Sequence, residues 1–182
     1  MLRLFAALPI PESVQARLTG LQHGLEGRLV APESMHLTLG FFGEQPGTVA
    51  EDLHAALTEV SAPGFTLWLD GVGAFGNAKP HALYAAVQPE PALTHLQAKV
   101  VQAARRAGIT MPSGKYVPHV TLARFSPGQI APAKAAKLIE ARAAFLAGPI
   151  EVDRFCLYRS DLGRSRPIYT ELAAYPLQGG QR

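Results

Sequence analysis

Apolar and polar positions alternate with period two in some stretches of this chain and with a helical period in others. RLFAALPI at the start reads as a buried first strand. Over residues 11–26, Val14, Leu18, Leu21 and Leu25 recur at helical spacing, with Pro11 at a position that suits an early helix residue. A strand is expected over about 35–42 and a second helix over 47–60. FTLWLDGVGAF and HALYAAV (81–87) read as a strand pair across a glycine-rich turn. Leu93, Leu96, Val100, Val101 and Ala104 define a third helix over 91–107, which Gly108 should stop. A strand comes next at 119–125, then an alanine-rich helix at 131–147. IEVDRFCLYRS, about 150–160, and a segment at roughly 167–177 complete the pattern as two strands.

The predicted order is β-α-β-α-β-β and then α-β-α-β-β. Helix, strand, helix and strand pair occur twice, which is a weak internal repeat. The expected fold is α+β, a single domain over 1–182 with two quasi-repeated lobes. Antiparallel sheets should flank a central cleft, with helices outside.

The two strands at equivalent places carry the candidate chemistry. HLTLGFF opens with His36 and HVTLARF with His119, 83 residues apart. Strand alternation puts His36 and Thr38 on one face, with Leu37, Leu39 and Phe41 on the other. It likewise puts His119 with Thr121, and sets Arg124 with Val120 and Leu122, away from His119. Two imidazoles near their pKa suit acid–base work on a phosphate ester without a metal. Threonine hydroxyls on the same faces can donate hydrogen bonds to phosphoryl oxygens. His23, His54 and His95 fall in helices and read as surface or satisfied residues; His81 opens a strand.

Composition narrows the alternatives. In 182 residues, 48% are hydrophobic and 17% charged, which suits a globular protein. Cys156 is the one cysteine, so neither an internal disulfide nor a thiolate metal cluster is expected. A net charge of +3 permits an anionic substrate without demanding one. No basic block of nucleic-acid-coating length is present, and no apolar run of bilayer-spanning length. No membrane contact or obligate protein partner is expected, and a cytoplasmic location follows by default. HExxH, a P-loop and a helix-opening GxGxxG are missing, and the two histidines have no third ligand at motif spacing. Neither a metal nor a cofactor is expected.

RLFAALPIP, SMHLTLGFFGE (34–44), KYVPHVTLARF (115–125) and LYRSDLGRSRPIYTEL (157–172) together resemble the two-histidine phosphoesterases, and within them the RNA 2′,3′-cyclic phosphodiesterases once called 2′–5′ RNA ligases. The resemblance covers nearly the whole chain and implies metal-independent hydrolysis of a 2′,3′-cyclic phosphate to a 2′-phosphate. It implies His36 as proton donor, His119 as proton acceptor, and Thr38 and Thr121 as holders of the phosphoryl oxygens. RNA 3′ ends or nucleotides bearing a cyclic phosphate become the expected partners. Tyr116 is a candidate for stacking on a base, and Arg124 fits the family's motif although strand parity turns it away. The tryptophan that relatives often carry before the first motif is Leu29 here. Three other readings stand beside this one: joining or cleaving 2′–5′ RNA ends, hydrolysing another small cyclic phosphate, and binding RNA without catalysis.

Overall fold

The computed structural model describes residues 1–179. Among these residues are nine strands and four α-helices. In chain order they are β1 (Leu2–Pro9), α1 (Glu12–Leu21), β2 (Arg28–Leu29), a 3-10 turn (Pro32–Ser34), β3 (His36–Gln45), α2 (Gly47–Thr58), β4 (Phe65–Phe75), β5 (Ala82–Val87), α3 (Pro91–Arg106), β6 (His119–Arg124), α4 (Pro132–Glu140), β7 (Leu146–Val152), β8 (Arg154–Leu162) and β9 (Pro167–Pro176).

The strands hydrogen-bond in the order β7-β4-β5-β6-β3-β1-β8-β9, with β2 added beside β6. All neighbours are antiparallel. The α+β class and the helix-flanked antiparallel sheet agree with the expectation. The lobes, however, do not coincide with the halves of the chain. Apart from β2, each side of the β3–β6 seam takes two strands from the first half and two from the second. β6 rests on the β4–β5 hairpin of the first half, and β3, through β1, on the β8–β9 hairpin of the second. The seam itself is narrow, with one register pair, Leu37 with Val120.

One face of the sheet is covered by helices. Val14 and Leu18 of α1, Leu53 and Leu57 of α2, Leu93, Leu96 and Val100 of α3 and Ala135 of α4 join one core with Leu37, Leu39, Val120 and Leu122. Burial of these apolar side chains is the main drive holding helices to sheet. Helix α3 has a defined start, because Glu90 accepts a hydrogen bond from the Ala92 N–H at 3.0 Å.

Several element boundaries differ from the pattern: the first helix ends at Leu21 rather than 26 and β3 runs on to Gln45, and two further differences follow from sheet pairing. The fourth helix ends at Glu140 rather than running to 147, because Leu146 and Ala147 pair with Asp70 and Leu69 of β4. IEVDRFCLYRS is two strands rather than one. The chain leaves β4's side of the seam at Asp153 and continues as β8 beside β1 on the other. The two-residue strand β2 has too few residues to show a period.

Candidate active site

The face away from the helices carries a cleft of about 620 Å³, lined by His36, Thr38, His119 and Thr121 among others. Continuing the register from Leu37 and Val120, His36 lies beside Thr121 and Thr38 beside His119. The four groups therefore meet at the seam in a near two-fold arrangement.

Each imidazole is held the same way. His36 Nδ1 lies 3.1 Å from the Ser34 carbonyl, and His119 Nδ1 lies 2.7 Å from the Val117 carbonyl. A carbonyl only accepts, so each Nδ1 donates and carries the proton of the neutral ring. The second nitrogen, Nε2, is left for chemistry. Aromatic rings fix each imidazole from the side. His36 packs against Phe5 of β1 and Tyr158 of β8, at centroid distances of 6.0 and 4.5 Å. His119 packs against Tyr84 of β5 and Phe75 of β4, at 5.4 and 4.8 Å. On each side the first neighbouring strand and the second each supply one ring.

The environments differ in charge. Burial lowers the pKa of both histidines below 6.5, and the backbone carbonyl partly offsets this in each. Beyond that, the Glu171 carboxylate raises His36, whereas the Arg124 guanidinium lowers His119 further. Charge thus favours a proton on His36 relative to His119.

Arg124 lines the cleft, and so does Phe41. Both positions depart from simple alternation, for one shared reason. In β6, Leu83 pairs with Ala123 but Tyr84 with Thr121, so Leu122 is an extra residue, a β-bulge. In β3, Ala6 pairs with Gly40 but Ala7 with Thr38, so Leu39 is extra in the same way. A bulge inverts the parity of the residues beyond it. Phe41 and Arg124 therefore join the histidine face, while Phe42 and Phe125 turn into the core. The matched bulges lie 83 residues apart, like the histidines. Beyond the threonines the two strands share only a leucine and a phenylalanine, Leu39 with Leu122 and Phe42 with Phe125, so the bulge shows in the pairing rather than in the pattern.

The bulge in β6 has its own support. Gln22, only 5% exposed, donates from Nε2 to the Leu122 carbonyl at 2.9 Å and to the Val30 carbonyl at 2.8 Å. The Val30 N–H also donates to the Leu122 carbonyl, at 2.9 Å. A bulge disrupts the ladder, and these bonds satisfy the carbonyl of its extra residue. Nothing in the hydrophobic pattern singles out Gln22.

Tyr116 does not line the cleft. Its hydroxyl donates to the Thr38 carbonyl at 2.9 Å, its ring packs on the core, and burial raises its pKa. This corrects the stacking expectation: the ring is spent on holding β3. Leu29, in contrast, is a cleft wall residue and 45% exposed.

Arg3, Arg28, Arg124 and Arg166 line the cleft, and no carboxylate among the described residues does. Arg3 also lies over the Phe41 ring, 5.0 Å from its centroid. Among the described residues no group of three or more His, Cys, Asp or Glu is placed to hold a metal. No helix among them is long and apolar enough to cross a membrane. The cleft's own chemistry is that of two imidazoles and two hydroxyls inside a cationic wall.

Comparison with known proteins agrees with this arrangement. The sequence model described as the 2′-5′ RNA ligase superfamily matches residues 10–164, and the chain belongs to that superfamily of two-histidine phosphoesterases. The RNA 2′,3′-cyclic phosphodiesterase of Thermus thermophilus is 32% identical over 191 residues, covering 98% of this chain and 91% of that protein. The protein of the same name from Geobacillus stearothermophilus is 31% identical over 184 residues, covering 96% of this chain and 57% of the relative. The structure of E. coli LigT complexed with 3′-AMP superposes with a TM-score of 0.78 at 26% identity, covering 97% of this chain and 98% of LigT. Within the superfamily, this chain is an enzyme of the RNA 2′,3′-cyclic phosphodiesterase family.

Proposed function

We propose that this enzyme hydrolyses the 2′,3′-cyclic phosphate at an RNA 3′ end to a 2′-phosphate, by acid–base catalysis without a metal. The observation that carries this reading is the pair of imidazoles, each with Nδ1 fixed by a carbonyl, in a cleft with four arginines and no carboxylate among the described residues.

In the reaction, His119 Nε2 takes a proton from water as the water oxygen bonds to phosphorus. The P–O3′ bond breaks, and His36 Nε2 gives its proton to O3′. One proton enters through His119 and one leaves through His36, so the cycle closes by exchange with solvent. The charge asymmetry supports this division of roles, since Glu171 favours the proton on His36 and Arg124 disfavours it on His119. Thr38 and Thr121 donate to the non-bridging oxygens, and Arg124 compensates their charge. The exposed ring of Phe41 offers the terminal base a face. With a 5′ hydroxyl in place of water, the same two groups and the same P–O3′ cleavage join a 2′–5′ linkage, and the reverse attack of O3′ on that linkage cleaves it. The superfamily's name reflects that direction.

The test is a product analysis. An oligonucleotide ending in a 2′,3′-cyclic phosphate is incubated with the enzyme in excess EDTA, and the end group is identified by mass and by phosphatase sensitivity. A 2′-phosphate is expected. A persisting cyclic phosphate, a 3′-phosphate product, or a reaction that EDTA stops would refute the proposal.

A further inference from the structure

The basic wall does not end at the histidines. A second depression of about 580 Å³ adjoins the cleft, with Gly27, Phe125, Ser126 and Gln129 on its walls. Arg28 and Arg124 line both cavities. These two arginines are Cα partners across β2 and β6, so their guanidinium groups emerge side by side. Like charges directly opposite one another on a sheet repel. Arg166 is neutralised by Glu33 at 2.9 Å, but neither Arg28 nor Arg124 forms a salt bridge among the described residues.

The strand β2 is anchored just beyond its end by Val30, whose N–H donates to the Leu122 carbonyl. Both residues of β2 are exposed, so the strand itself adds nothing to the core. Its position is specified at its start as well. Gly27 has φ of +92°, and a Cβ there would lie 2.7 Å from the Arg124 carbonyl oxygen and from the Phe125 ring. The glycine lets the backbone touch β6 and fixes Arg28 beside Arg124. The wall beyond them carries no charge, and on it the Ser126 N–H donates to Gln129 Oε1 at 2.8 Å. A repelling, unpaired guanidinium pair at the junction of two cavities is the setting for an anion.

We infer that β2 and the turn after β6 form a second phosphate subsite, which takes the phosphodiester preceding the terminal nucleotide. Arg28 is then the residue that distinguishes an RNA end from a cyclic mononucleotide. This rests on the hydrolytic reading above and adds the strand's path to it.

The experiment compares a cyclic mononucleotide with a trinucleotide that ends in the same cyclic phosphate, using the wild type, Arg28→Gln and Gln129→Glu. Gln129→Glu keeps the acceptor for the Ser126 N–H and adds a negative charge to the groove. In the wild type the trinucleotide should have a KM about tenfold lower than the mononucleotide, the effect of one charge-assisted phosphate contact. Gln129→Glu should remove most of that difference through the trinucleotide's KM, and Arg28→Gln, whose arginine also lines the catalytic cleft, should raise the trinucleotide's KM by a clearly larger factor than the mononucleotide's. Arg28→Gln should also reduce the salt dependence of trinucleotide binding by about one counterion. Equal KM values for the two substrates in the wild type would overturn the inference, as would variants that affect both substrates alike. Equilibrium binding of a trinucleotide and a mononucleotide, both ending in 3′-phosphate, reads the subsite without turnover. An enzyme that binds the trinucleotide better and hydrolyses neither substrate would refute the hydrolytic proposal and leave the subsite standing.

Discussion

Leu37 faces Val120 where β3 meets β6, and this single pair sets the geometry of the cleft. Both side chains are fully buried on the helix side. Their register places two imidazoles and two hydroxyls on the opposite side, each imidazole next to the other strand's threonine. The hydrophobic core and the histidine cleft are thus two faces of one contact.

Removing either imidazole should remove its proton transfer and little else. His36→Ala and His119→Ala are each expected to lower kcat/KM by roughly 100- to 10,000-fold. Circular dichroism should remain that of the wild type. The double variant should lose less than the product of the single losses, because the two groups serve one step. A single variant with near-normal rate would remove that histidine from the mechanism.

The pH profile carries the charge asymmetry. The acid limb of kcat/KM follows protonation of the acceptor, His119, and the alkaline limb follows deprotonation of the donor, His36. Both pKa values are lowered from 6.5, chiefly by burial, so the maximum should fall on the acid side of 6.5. Arg124→Gln removes a positive charge from His119, raises its pKa and moves the acid limb to higher pH. Glu171→Gln removes a negative charge from His36, lowers its pKa and moves the alkaline limb to lower pH. Shifts in the opposite senses, read from kcat/KM against pH, would contradict the assigned roles.

Gln22 should matter more than its distance from the chemistry suggests. Gln22→Leu removes the side-chain amide from the Val30 carbonyl and leaves the Leu122 carbonyl with the Val30 N–H alone, and it should destabilise the fold by about 1–3 kcal/mol. It also loosens the bulge that aims Arg124. Denaturant unfolding should report the first effect, and a raised KM the second. Unchanged stability would mean that the bulge holds without this amide.

Tyr116→Phe separates a structural role from base stacking. The ring is kept and only the hydrogen bond to the Thr38 carbonyl is lost. Stability should fall by about 0.5–1.5 kcal/mol. Relative turnover of substrates with different terminal bases should stay constant. A change in base preference would return Tyr116 to the binding surface.

Much of this site was legible in the sequence because strand parity and the repeat are local properties. His36, Thr38, His119 and Thr121 could be placed on common faces from period two alone. Phe41 and Arg124 could not, because a bulge is a property of pairing: it shows only when Leu39 is set against β1 and Leu122 against β5. Tyr116 failed for a related reason, since the carbonyl that captures its hydroxyl lies 78 residues away. Gln22 and Leu122, 100 residues apart, are further still from any sequence window. The division of 150–160 into two strands at Asp153 likewise depends on which neighbours each part finds.

The exchange of hairpins between the halves has a consequence for how activity is acquired. β1 and β3 need β8 and β9, which are synthesised after both histidine strands, while β6 needs β4 and β5 from before it. Neither half alone can assemble one complete side of the seam, so the chain should resist dissection into two working pieces. The pairings span most of the polypeptide, and such non-local closure makes folding slow relative to a helical protein of similar length. The hairpin that supports His36 follows His119 in the chain, so the cleft is complete only after the last hairpin has been made.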